Sequence, residues 1–435
     1  MNEAELVRAA GLAVPTVLLV ALLVHRRPSD RELAAAVVAT CWSAVVLAPL
    51  NVVAADAGWW TFEAVGAVWR GVPVDLWWSW AILWGAVPAL ALRTAHPVLV
   101  VAVLVWLDLL LMPAASPVVV LGERWLVGEA IGVATALVPA VLLARWTLAR
   151  RFVVVRGWAQ AVIAGALLVA LPVVATGATP PWPAPVTAAG VQLALAVALV
   201  GVAAMRELAL VGQGTPLPYD PPRRLVVTGP YAYVRNPMQL SVAALFVVLA
   251  AVLGDARLLV GALVTVGYSS GLAAWHEGRQ LRERYGEQWE RYVGAVPSWR
   301  PRLRPVAPPL PAVLWVAGDC GTCRGVARWL LDRRPVGLEL RPAADHRDIL
   351  WRLTYEHAGV RYEGVRAFAR ALGHLHLGWA VVGWGLDLPL VRHFALLCTD
   401  AFGAGPRPSR GLVEAARPRP VLRPPAPPGR PPAGR

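Results

Sequence analysis

Two polar stretches in an otherwise apolar chain carry residue types that can do chemistry. The first is "TGPYAYVRNPMQL", Thr228 to Leu240, which sets Tyr231, Tyr233, Arg235 and Asn236 directly ahead of a hydrocarbon run. The second, "HEGRQLRERYGEQWERYVGAVPSWRPR", His276 to Arg302, comes two apolar segments later and supplies Glu277, Tyr285, Gly286, Tyr292 and Pro297. If those two segments form a helical hairpin, both stretches meet at its mouth. They then offer a cation (Arg235), an amide (Asn236), an acid (Glu277) and several aromatic rings. Arginine pairs a carboxylate and an acid pairs an ammonium, so the set suits a zwitterionic amino-acid moiety. Aromatic rings also attract a sulfonium by cation–π interaction. Leu281, Tyr285, Trp289 and Tyr292 recur at helical spacing between charges, which predicts one amphipathic helix lying at the membrane surface. His276 reads as an interfacial histidine; a proton-accepting role for it or Glu277 arises only with an amine nucleophile. An Arg/Tyr-rich loop that binds lipid phosphates is the plainer reading of the same residues.

A second constellation is "AVLWVAGDCGTCRGVARWLLDRR", Ala312 to Arg334. A short β-rich run, a Gly-Asp-Cys-x-x-Cys turn and a helix with Val326, Trp329 and Leu330 on one face make a strand-turn-helix unit. Cys320 then sits at a helix N-terminus, where the dipole favours the thiolate. Cys323, one turn on, is placed as the resolving thiol. The alternatives are an inert pair or half of a zinc site. No second CxxC follows, and His346, His357, His374 and His376 match no structural-zinc spacing. Cys41 and Cys398 read as packing residues.

Composition says what must position these residues. The 435 residues are 57% hydrophobic and 16% charged, with a mean hydropathy of +0.55, which favours a polytopic membrane protein over a soluble one. The net charge of +14 does not point to nucleic acid, because the basic residues, all of them Arg, lie in short loops and in the C-terminal third. No small-residue cleavage site follows the first apolar segment, which is expected to remain a membrane helix. On the criterion of about twenty apolar residues per span, nine spans are expected, centred near Pro15, Val45, Leu83, Leu104, Ala134, Ala166, Leu195, Phe246 and Val264. Arg-bearing loops (Arg26–Arg31, Arg93, Arg145–Arg156, Arg206–Arg235 and everything after His276) alternate with Arg-poor ones. That alternation predicts an outside N-terminus, an inside C-terminus and a cytoplasmic rim for both polar stretches. A dithiol suits that reducing side better than a structural disulfide does.

Four regions are expected: 1–150 with about five helices, 151–305 with four spans and the first constellation, 306–408 as an extramembrane domain, and a disordered Pro/Arg-rich tail, 409–435. In the first region Asp75 and Glu129 read as helix-end residues in the headgroup zone. Asp108, inside "VLVWLDLLLMP", does not fit that account, since an acid within a span is costly.

The blocks "GPYAYVRNPM" and "E…L…YG…W..Y…VP" resemble the isoprenylcysteine carboxyl methyltransferase family and its phospholipid methyltransferase relatives, integral-membrane enzymes that use S-adenosyl-L-methionine (SAM). The resemblance covers about residues 160–302. It implies a cofactor site at Gly229, Tyr231, Arg235, Asn236, Pro237, Glu277, Tyr285, Gly286, Tyr292 and Pro297, with Arg235 and Glu277 also catalytic. The implied reaction is in-line methyl transfer to a lipophilic or lipid-linked acceptor held at near-attack distance, without a metal. The chain departs from the family pattern at Gln239, Gly278, Trp289 and Ser298, where Tyr, an acid, Tyr and Arg are usual. The CxxC stretch, together with "GVRYEGVRAFARALGHL", resembles the DCC family of thioredoxin-like thiol-disulfide oxidoreductases over about residues 312–405, with Cys320 and Cys323 catalytic. The family's motif Asp is Ala317 here, although Asp319 directly precedes Cys320. The expectation is a mainly α polytopic membrane bundle carrying a small C-terminal α/β thioredoxin-like domain: a multi-pass cell-membrane methyltransferase whose partners are membrane lipids and a lipophilic acceptor. Its rivals are a membrane-anchored oxidoreductase with a degenerate methyltransferase region, a phospholipid N-methyltransferase, and a lipid-binding scaffold.

Overall fold

In hydrocarbon every backbone N–H must bond within its own segment, so long apolar runs form helices. The computed structural model describes residues 2–217, 222–318 and 320–408, apart from the side chains of residues 272, 273, 275–277 and 404. It is 66% helical. Among the described residues seven helices are long and apolar enough to cross a bilayer: α1 (Glu3–Arg26), α2 (Asp30–Ala54), α3 (Val74–Ala91), α4 (Pro97–Ala114), α5 (Trp125–Leu148), α6 (Val153–Thr176) and α7 (Ala184–Leu210). Their outward faces carry exposed Val14, Val17, Val98, Trp106 and Leu195. Water would not tolerate so much exposed hydrocarbon; lipid would.

The expected eighth and ninth spans are shorter helices, α8 (Pro237–Leu253) and α9 (Leu258–Gly271). The 17 residues of α8 rise about 25 Å, less than the roughly 30 Å of a hydrocarbon core. Pro237 starts α8, and Gly254, with φ +63°, ends it. A bent pair, Leu377–Leu386 and Pro389–Gly403, turns through 87° and would raise the number of long apolar helices to eight if counted as one span. The description is therefore seven to eight such helices in place of nine. The long amphipathic helix expected after His276 is also two: α10 (Ala274–Tyr285) and α11 (Glu287–Ala295). They break at Gly286, whose φ of +50° no L side chain adopts without strain.

The chain divides into two compact units between Trp299 and Arg300. In the first, α2 packs against α3 and α5 through small side chains: Ala35, Ala36 and Ala39 meet Ala86, Ala89, Ala140 and Ala144. Small residues allow the close backbone approach from which helices in lipid gain packing. One end of these helices is closed by short strands. β1 (Trp60–Phe62) pairs antiparallel with β4 (Val119–Leu121), and β2 (Val68–Trp69) with β3 (Val72–Pro73). Asp75, in the first turn of α3, is ion-paired with Arg8 at 2.8 Å.

The second unit is a four-stranded mixed sheet of order β6-β5-β7-β8. Its strands are β5 (Ala312–Val316), β6 (Leu338–Pro342), β7 (Thr354–His357) and β8 (Val360–Glu363). β5 runs parallel to β6 and antiparallel to β7, and β7 and β8 form a hairpin. The continuous apolar run of β5 fits an inner strand buried on both faces. Leu314, Leu330, Tyr355, Leu372 and Leu375 form the core, with α12 (Gly321–Asp332) and α13 (Val365–Leu372) packed on it.

His374 is buried in this core. One ring nitrogen lies 2.8 Å from the Val336 carbonyl and the other 2.9 Å from the Tyr355 hydroxyl. Burial lowers its pKa to about 4, against about 6.5 in an unfolded chain. The neutral ring therefore contributes stability above pH 6.5 that is lost as the pH falls toward 4, on the order of 3 kcal/mol. Limited proteolysis of the full chain should show residues 300–408 opening over that interval. A His374→Gln chain should show a flatter dependence.

Candidate functional site

The first constellation is built where α7 ends, α8 begins and α11 closes on them. Glu207, near the end of α7, is buried and accepts a 2.6 Å hydrogen bond from the Thr228 hydroxyl. Gly229 follows with φ +60° and opens a tight 3-10 turn, Gly229–Ala232. A Cβ at Gly229 would lie 3.0 Å from the Glu207 side chain. Both its φ and its neighbour therefore demand glycine. Gly229→Ala should cost about 1–2 kcal/mol of left-handed strain and lower the apparent melting temperature of the purified protein, with Thr228→Val as the comparison that removes only the hydrogen bond.

Beyond the turn, Tyr231 and Tyr233 are buried, while Arg235 and Asn236 are half-buried. Asn236 is the residue before α8 and its side chain makes no capping hydrogen bond, which leaves the amide for other partners. Pro237 occupies the first helical position, where its missing N–H costs nothing.

The downstream segment closes on this turn. The Tyr292 hydroxyl donates to the Tyr231 carbonyl at 3.0 Å, and the Arg235 backbone N–H donates to the Pro297 carbonyl at 2.9 Å. The Arg235 guanidinium donates through Nη2 to the Ser298 hydroxyl, while its buried Nε has no partner among the described residues. The Tyr285 hydroxyl donates to the Pro222 carbonyl at 2.9 Å. Burial pushes the Tyr292 hydroxyl's pKa up, with the nearby Arg235 charge opposing. Burial likewise pushes up those of Tyr285 and Tyr233. These hydroxyls are neutral hydrogen-bond donors, not bases.

Of the residues singled out in the sequence, Gly229, Tyr231, Arg235, Asn236, Pro237, Tyr292 and Pro297 are thus brought together. Tyr285 ends the preceding helix and connects to Pro222, and Gly286 marks the break before α11. Glu277 lies on α10, but its side chain and that of His276 fall outside the described residues. Two participants were missed. Glu207 stood as an acid in the apolar run "AAMRELAL", a signal available in the sequence. Ser298 had been noted only as a departure, yet it is the side chain that holds Arg235.

The second constellation sits at the start of α12. Cys320 is the residue before the helix, and its sulfur accepts from the Cys323 backbone N–H at 3.4 Å. Burial raises the Cys320 thiol pKa. The Cys323 side chain, the backbone N–H groups of Cys323 and Thr322 and the Arg407 charge outweigh it, so the thiol lies below its ordinary value. Both cysteines are half-buried thiols, as are Cys41 and Cys398. Asp319 lies outside the described residues. Among the described residues no three His, Cys, Asp or Glu side chains converge on a metal site.

Helices of this length and hydropathy, with a polar rim and a separate sheet-containing unit, define a helical membrane protein. No protein-family model, curated protein or solved structure matches the chain.

Proposed function

We propose that this chain is an integral-membrane SAM-dependent methyltransferase acting on a lipophilic acceptor, with an appended thioredoxin-like domain facing the cytoplasm. The observation that carries the reading is the closure of two motif blocks, joined by contacts 61 and 63 positions apart, onto one half-buried guanidinium that has no carboxylate partner among the described residues. SAM would supply an electrophilic methyl group on a sulfonium. Arg235 would hold its carboxylate, with Ser298 fixing the guanidinium and leaving Nε to donate. The Asn236 amide is free to bind a second polar group, and the Tyr231 and Tyr292 rings would offer aromatic surface to the sulfonium. Arg235 and Asn236 lie at the foot of α8, where a water-soluble donor and a membrane-dissolved acceptor can meet. Equilibrium dialysis of labelled SAM against the purified full chain tests the proposal, and absence of saturable binding would remove it.

A second activity is favoured by the Cys320 geometry: a helix-start thiol with a lowered pKa and a second thiol one turn away. The parallel β5–β6 pair joined by α12, beside an antiparallel hairpin, supports a thioredoxin-like reading of this unit. With Ala317 in place of the DCC motif acid, proton delivery would fall to another group.

A further inference from the structure

The five N-terminal helices hold two acids that the proposed methyl transfer does not use. Asp108, in the middle of α4, and Glu129, in the second turn of α5, are only 3% and 6% exposed. Their carboxyls lie within reach of a shared hydrogen bond. Glu129, read as a helix-end residue, does lie near the start of α5, and its side chain is buried toward the same cavity as Asp108. The Trp80 indole donates to Asp108 Oδ1 at 2.5 Å. Asp108 Oδ2 and Glu129 Oε1 have no further partner among the described residues. Both acids line a cavity of about 40 Å³ walled by Trp60, Trp77, Trp80 and Trp84, and none of its described lining residues is basic.

Of the other polar side chains at the wall, all but Trp84 are already committed. The Asn51 amide donates to the Leu47 carbonyl and its oxygen accepts from the Trp60 indole, and the Trp77 indole donates to the Ala44 carbonyl. What stays open is acceptor capacity with negative charge, inside aromatic walls. Two carboxylates in contact and out of water cannot both stay charged without a counter-charge. Sharing one proton leaves the pair with a single negative charge, which the neutral Trp80 donor does not cancel and no basic residue among the described lining residues offsets. A π-helical turn, Val133–Leu137, begins one turn beyond Glu129 and bulges α5 beside the cavity, a distortion frequent at functional sites.

We infer that this cavity binds the primary ammonium group of an organic amine, with N–H groups donating to Asp108 and Glu129 and the indole rings surrounding the adjoining carbon. An ammonium supplies three donors and one positive charge, and indole is the best cation–π surface among the side chains. The size agrees. At about 10–15 Å³ per water, the cavity has room for roughly three waters, enough for a –CH₂–NH₃⁺ end. Drug-sized ligands need ~300 Å³ or more, so the remainder of the amine would lie outside.

The test uses the purified full chain and labelled methylammonium at pH 7 with sodium chloride as the background salt. Saturable binding is expected. Asp108→Asn and Glu129→Gln should each weaken it at least tenfold, and tetramethylammonium, which has no N–H, should compete at least tenfold more weakly. A second readout needs no variant. Dicyclohexylcarbodiimide, which couples to a carboxylic acid in apolar surroundings, should label Asp108 or Glu129, and methylammonium should slow that labelling at least fivefold where sodium does not. No saturable binding, binding unchanged in both variants, equal competition by tetramethylammonium, or labelling that methylammonium leaves unchanged would each overturn the assignment and leave a proton-sharing pair. None of these readouts involves Arg235 or the methyl donor.

Discussion

Arg235→Ala is expected to weaken SAM binding by two to three orders of magnitude while the protein still folds. Two facts of the site argue for both halves of that statement. The contact that ties the turn to the downstream segment is the Arg235 backbone N–H on the Pro297 carbonyl, which an alanine keeps. The Tyr292 hydroxyl on the Tyr231 carbonyl is also untouched. What the substitution removes is the guanidinium, and with it the charge that would face the ligand's carboxylate in a half-buried place. Losing one member of a hydrogen-bonded charge pair costs about 2–5 kcal/mol, and each 1.4 kcal/mol is about a factor of ten. Arg235→Lys keeps the charge without the planar fork and should fall between the two. Ser298→Ala, which frees the guanidinium without deleting it, should lose much less. Equilibrium dialysis of labelled SAM with each purified full-length variant reads all three. A Kd unchanged in Arg235→Ala would end the cofactor assignment.

Cys320→Ser is expected to take thiol-disulfide exchange down to background, roughly a hundredfold or more, because a serine hydroxyl is not ionised near neutral pH and the thiolate is the nucleophile. In the reaction argued for, the Cys320 thiolate attacks a substrate disulfide and forms a mixed disulfide, releasing one substrate thiolate. The Cys323 thiolate then attacks that bond, giving a Cys320–Cys323 disulfide and the second substrate thiol, so the substrate is reduced by two electrons and the protein oxidised by two. Cys323→Ser should therefore accumulate the mixed disulfide, visible by intact-mass measurement. Because its neighbours hold the Cys320 thiol below the ordinary value, its alkylation by iodoacetamide should remain fast as the pH falls through the range where an ordinary thiol slows. A Cys320 alkylation profile matching that of a free thiol, with exchange activity intact in Cys320→Ser, would reduce the pair to an inert one.

Much of the site was legible because its signals are local. "GPYAYVRNP" needs a glycine at positive φ, a proline at a helix start and polar residues ahead of an apolar run, and each demand shows in residue types alone. The strand, the CxxC turn and α12 were legible for the same reason: a short β-rich apolar run, a helix-start residue and an apolar face all fall within about twenty residues. Helix number was less so. Hydropathy finds apolar segments, but where a helix starts and stops is a separate matter: Pro237 and Gly254 bound α8, which falls short of the other seven, as does the apolar part of α9. The break at Gly286 is a similar case. Helical spacing of Leu281, Tyr285, Trp289 and Tyr292 continues across it, so periodicity could not see it.

By itself the sequence determined a mainly helical membrane protein, the two polar constellations and the order in which the chain meets them, since burial of hydrocarbon and backbone hydrogen bonding are set by composition and local pattern. Only the tertiary structure decided which side chains face one another across that order. Ser298 read as a missing arginine until it was found on Arg235, and Glu207 drew no reading at all, although Thr228 reaches it in the fold. Asp108 and Glu129 read as unrelated acids twenty-one positions apart. Helix packing turned them toward one cavity, and a contact made through three dimensions leaves no period in a sequence.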